Sequence, residues 1–217
     1  MLDINRKELA QSEPRLVRDL VRSVYGLSPK AQCQATLALR NLAIDGKPQL
    51  PSPSISHSSP TAENHQLEIV SAGGLIRLLF FLQSAFPVLV LCAVACVHNV
   101  SIHPMNESPI IEGGFLPQLI TLLSFDDREV QYHAIAILRH LASGSEENQL
   151  TIFKTGVVHS IKELVLEAPK KVQSEMAACV ARLALNGVYP ALDNHIQPDS
   201  LKANLTVNYR RWESARF

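Results

Sequence analysis

Apolar and polar positions recur along this chain with the period of a helix, not of a strand. Between positions 115 and 123, Leu116, Leu119, Ile120 and Leu123 fall at i, i+3, i+4 and i+7, so one stripe of the segment is apolar. Positions 75–83 and 157–166 repeat the pattern, and each of these segments follows a glycine corner: Gly73-Gly74, Gly113-Gly114 and Gly156. Glycine takes a positive φ without a Cβ penalty, so each corner predicts one helix turning sharply into the next. A longer apolar helix then follows. Four such segments align, ATLALRNLA at 35–43, AVACVHNVS at 93–101, AIAILRHLA at 134–142 and MAACVARLA at 176–184. His98, Arg139 and Ala181 stand at equivalent places in the last three, and their even spacing is the period of a two- or three-helix repeat. Arg40, the equivalent in the first, lies more than one period before His98, and the excess coincides with a Pro/Ser-rich insertion at 46–62. The pattern predicts an all-α right-handed solenoid of about four repeats, the terminal ones incomplete. Its segments are a partial repeat at 1–45, a disordered insertion at 46–62, repeats at 63–186 and a divergent, poorly ordered tail at 187–217.

Composition narrows the function. Twenty Lys+Arg balance 20 Asp+Glu, so no global field draws the chain to nucleic acid. With 47% hydrophobic residues it has enough apolar surface for a sizeable core. The longest apolar run, 86–97, contains Pro87 and stops at His98, too short to span a bilayer. The N-terminus has no signal-peptide core, and Leu2 stands where myristoylation needs glycine, so no lipidation site is found. Cys33, Cys92, Cys96 and Cys179 sit in Ala/Leu/Val-rich stretches and read as small core residues; Cys92 and Cys96 lack the further ligands a metal needs. His133 and His140 share a helix face, again without a third ligand. With no phosphate loop, nucleophile elbow or paired carboxylates, the expectation is a non-enzyme with no cofactor, no metal and no small-molecule substrate.

Particular strings go beyond the repeat. NRKELAQSEPRLV at 5–17, CQATLALRNLA at 33–43, QLEIV at 66–70 and SIHPMNE at 101–107 include surface positions that core packing does not dictate. Together with the three-helix period, they resemble the armadillo-repeat family, and within it the fungal vacuolar armadillo adaptors. The resemblance implies a non-catalytic scaffold on the cytosolic face of the vacuole membrane. It would act in vacuole inheritance, vacuole fusion, nucleus–vacuole junctions and autophagy or cytoplasm-to-vacuole targeting. A complete product of this sequence, lacking the lipidation site, is expected in the cytosol. The alternative is a general peptide-binding module of importin-α or catenin type.

In armadillo repeats the third helix lines a binding groove. Within positions 130–142, Ala134, Ile137, Leu138 and Leu141 form the core stripe, which leaves Ala136, Arg139 and His140 for the groove. The equivalents are Leu37, Arg40 and Asn41, then Ala95, His98 and Asn99. Stacking makes two columns. One is polar: Asn41, Asn99 and His140 present donors and acceptors to a partner backbone, or else bond neighbouring backbone and hold the groove's shape. The other is basic: Arg40, His98 and Arg139 match where the family's arginines engage protein partners. On this basis His98 gains charge below about pH 6.5, and either arginine can be reversed with little loss of fold. Importin-type binding is disfavoured, because Leu37 and Ala95 stand where that groove has tryptophan.

Overall fold

The computed structural model describes residues 16–26, 28–44 and 62–185; the N-terminal stretch through 15, the insertion through 61 and the tail beyond 185 lie outside the described residues. Among the described residues there are eleven α-helices. Helices α1 (Leu16–Ser23) and α2 (Pro29–Ala43) are the second and third helices of one repeat. Three full repeats follow. They are α3 (Ala62–Ser71), α4 (Gly74–Leu82) and α5 (Pro87–Val100); α6 (Glu107–Glu112), α7 (Phe115–Leu122) and α8 (Arg128–Leu141); and α9 (Glu146–Lys154), α10 (Val157–Leu164) and α11 (Lys170–Leu185). No single described helix is long and apolar enough to cross a membrane.

Local chemistry starts each helix where the period requires it. Pro29 and Pro87 occupy the first turns of α2 and α5, where a missing N–H costs nothing. Asp127 caps α8 by accepting from the N–H groups of Glu129 and Val130, and Ser145 caps α9 through that of Asn148. The corner between first and second helices falls at Gly73, Gly114 and Gly156, all at φ 80°, so the turn recurs at the same place in each repeat. An L side chain in that conformation costs on the order of 1–2 kcal/mol. Gly114→Ala is therefore expected to lower the melting temperature by a few degrees, read by circular dichroism, and an unchanged value would show that the corner relaxes freely.

The third helices form the inner layer, α2 against α5, α5 against α8 and α8 against α11. Val90, Ala93, Val94, Ala95, Cys96 and Val97 on α5 are all fully buried, which accounts for the apolar run as a helix covered on several sides. Ala134, Ile137, Leu138 and Leu141 are buried as expected. Ala95 and Ala136 are not groove residues: both are fully buried, because each third helix packs against a third helix on either side and small side chains permit the approach.

Side-chain amides tie successive repeats together. Gln66, at the first helix of one repeat, donates from Nε2 to the carbonyl of Ala43 at the end of α2 (3.0 Å), and Gln149 does the same for Ala142 at the end of α8 (3.1 Å). In the intervening repeat that position is Glu107, a carboxylate that cannot donate, and Asn106 serves instead, giving Nδ2–H to Val100 O (3.0 Å) and Gln66 O (3.3 Å). Gln66 is 1% exposed, so its loss strands a buried carbonyl. Gln66→Leu is expected to cost about 1.5 kcal/mol in urea unfolding; no change would mean that water reaches Ala43 O.

Candidate functional site

The six predicted residues all lie in the last turns of α2, α5 and α8, and contacts run between them from repeat to repeat. Asn99 donates from Nδ2 to the carbonyl of Arg40 (3.0 Å), so its amide is engaged by the neighbouring repeat. Asn41 is exposed, and its side chain makes no hydrogen bond to another described residue. His140 is held at both ring nitrogens. Ser101 Oγ gives its one proton to the His98 carbonyl (2.7 Å), so it must accept from His140 Nδ1 (3.1 Å); His140 Nε2 then accepts from Arg139 Nη2 (2.9 Å). Arg139 also donates from Nε to Glu175 of α11, both side chains being about three-quarters buried at 24% and 21% exposure. Arg40 has no ion pair among the described residues.

The columns converge on an imidazole cluster that no single helix contains. His98 Nδ1 lies 2.9 Å from His133 Nδ1, so one of the two carries the shared proton. His98 stacks on His140, with ring centroids 5.3 Å apart at 23°, and meets Tyr132 edge-on at 6.0 Å and 88°. Burial, followed by the facing charges, holds all three imidazoles neutral. His98 falls to about 3 through desolvation, then His133, Arg139, Lys171 and Arg40. His140 falls to about 3 through desolvation, Arg139, His98 and Arg182; His133 falls to about 4 through desolvation, Arg40 and Lys171, with Asp127 opposing. The expectation that His98 gains charge below about pH 6.5 is overturned. Its ring packs against two other imidazoles and a tyrosine, which leaves it only partly exposed.

Four participants were invisible to the two-column reading: Ser101, Tyr132, Lys171 and Glu175. Tyr132 and His133 lie two turns before Arg139 and His140 on the same face of α8. Glu175 is the equivalent of His133 one repeat on. Periodicity thus held a signal for their positions. The reversal of Arg139 without loss of fold does not hold either, since a glutamate there would face Glu175 and leave His140 Nε2 without its donor. Of the cysteines, Cys96 and Cys179 are buried and their thiols are pushed up to about 12, while Cys33 and Cys92 are half-buried. Among the described residues no group of three His, Cys, Asp or Glu is placed to hold a metal ion.

No protein-family model matches the chain. Similarity to individual proteins is extensive. Vacuolar protein 8 of Schizosaccharomyces pombe is 47% identical over 184 residues, covering 84% of this chain and 30% of that protein. The Candida albicans protein of the same name is 48% identical over 179 residues, 82% of this chain and 28% of the relative. That of Saccharomyces cerevisiae is 50% identical over 126 residues, 58% and 22%. The chain thus spans less than a third of the length of these relatives. Among solved structures, an engineered protein 27% identical superposes with TM-score 0.66 over 77% of this chain and 37% of that one. A computationally designed armadillo-repeat protein for modular peptide recognition gives 0.68 at 21% identity, covering 81% and 68%. A designed armadillo-repeat protein in complex with the peptide (KR)4 gives 0.65 at 22%, covering 88% and 80%. These likenesses show an all-α armadillo solenoid, and the sequence matches go further: the chain belongs to the fungal Vacuolar protein 8 family of armadillo-repeat proteins.

Proposed function

We propose that the chain is the protein-binding part of a non-catalytic adaptor that works at the cytosolic face of the vacuole membrane. The family resemblance points to vacuole inheritance, vacuole fusion, nucleus–vacuole junctions and autophagy or cytoplasm-to-vacuole targeting as its settings. The observation that carries the reading is the outer face of the third-helix layer. There Arg40 carries a charge with no ion pair among the described residues, beside the exposed amide of Asn41, on a base of side chains bonded from one repeat to the next. Donors and one free charge held in fixed register are recognition chemistry: they suit an extended segment with acidic or aromatic side chains, which a guanidinium can fork onto or stack upon. Arg139 contributes differently, since it is engaged by Glu175 and holds the frame. An importin-type mode has less support, because Leu37 is half-buried and Ala95 fully buried where stacking rings would be needed.

The test is site-resolved. A photo-crosslinking residue placed at position 41, and separately at the exposed position 162 on α10, is activated in extract containing vacuoles. The expected result is protein adducts from position 41 that position 162 does not yield. Equal or exclusive labelling from α10 would place binding on the other face.

A further inference from the structure

We infer that Lys171 is a built-in occupant of an aromatic seat on this face and makes the groove reject cationic segments. The inference rests on the groove reading above. Tyr132 sits on α8 two turns before Arg139, within the same stripe. Its ring is walled by His98 edge-on and by His133, at 5.4 Å and 61°. Burial keeps both imidazoles neutral at neutral pH, so the walls do not repel a cation. A tyrosine face between uncharged rings attracts one.

That seat is already filled. Lys171, in the first turn of α11, places Nζ 3.6 Å from the Tyr132 ring centroid. The equivalent position is Glu129 one repeat earlier, Val88 two repeats earlier and Lys30 in the first repeat, while the equivalents of Tyr132 are Leu91 and Cys33, so neither preceding junction pairs a cation with a ring at this register. The filled seat belongs to this junction rather than to the repeat. A partner lysine or arginine arriving here must displace an ammonium that the chain supplies without losing translational freedom. It must also face the charges of Arg40 and Arg139. An acidic side chain meets none of these obstacles and gains Lys171 as a partner. The designed armadillo protein solved with (KR)4 thus shares the fold, while this chain has the opposite preference.

Fluorescent (KR)4 and an octapeptide of alternating Asp and Glu are titrated into the full chain at about 150 mM salt, where long-range attraction is screened. Lys171→Ala is expected to raise (KR)4 affinity by about fivefold or more, the scale of a cation–π contact regained. Lys170→Ala removes the same charge from the adjacent exposed position and is expected to change affinity less than about twofold. Adding Tyr132→Leu to Lys171→Ala should abolish the gain, with circular dichroism confirming the helices. The inference is overturned if Lys171→Ala gives no gain, if Lys170→Ala gives an equal one, or if the gain survives without the tyrosine ring. The acidic peptide reads the groove separately: a wild-type chain that does not bind it counts against the proposed function, while the (KR)4 series still decides the role of Lys171.

Discussion

Lowering the pH from 7 to 5 is expected to destabilise the folded array steeply, well before its carboxylates titrate. His98, His133 and His140 have folded pKa values of about 3, 4 and 3 against an ordinary 6.5. Below about 6.5 the unfolded chain takes up protons that the folded chain refuses, so this stability is fully present above that pH and is lost as the pH falls toward the folded values. At pH 5 the loss is about 2 kcal/mol for each imidazole still neutral in the fold, a large part of what a domain this size possesses. The charges facing the cluster are Arg40, Arg139, Lys171 and Arg182, with Asp127 opposing and Glu175 paired to Arg139. Ordinary carboxylates titrate below this window, and Glu107, which burial pushes up, takes a proton more readily in the fold and so acts in the opposite direction, which leaves a fall between pH 7 and 5 to the imidazoles. Urea midpoints at pH 7, 6 and 5 should fall progressively, and a chain with all three histidines replaced by glutamine should show a flatter profile. A flat wild-type profile would mean that the rings are solvated and able to charge.

Arg40→Glu is expected to weaken binding of an acidic segment by about 2 kcal/mol, or roughly 30-fold, the scale of an interfacial arginine anchor. The fold should survive, because the guanidinium has no ion pair among the described residues to lose and Leu39 beneath it stays buried. Arg139→Glu should behave differently. It sets two carboxylates together at a site three-quarters buried, so its binding defect is expected to come with a lower unfolding midpoint. Isothermal titration alongside urea melts separates the two cases. Equal stability loss in both variants would show that Arg40 is also structural.

What the sequence reveals and what it hides divide along a physical line. The period, the apolar stripes and the glycine corners are local or repeat-wide regularities, and Gly73, Gly114 and Gly156 do take the left-handed conformation that the corners call for. Contacts between repeats are another matter. Lys171 over Tyr132, Arg139 on Glu175 and His98 against His133 join residues that stand short of one full period apart, by an amount set by how one third helix is offset along the next. The period aligns equivalent positions, but these pairs are not equivalent positions. Ala95 and Ala136 were misplaced because the expected stripe was that of a helix buried on one side, while α5 and α8 are each flanked by third helices on two. The depressed histidine pKa values follow from the same closure, which no count of histidines along the chain discloses.

The most direct test of the binding-groove account is selection of random peptides displayed on phage, carried out on the purified wild-type chain and on Arg40→Glu at neutral pH. The account predicts that the wild-type chain enriches acidic, aromatic-containing peptides and that these lose most of their enrichment on Arg40→Glu. Enrichment of basic peptides, or of the same acidic peptides on both chains, would contradict it.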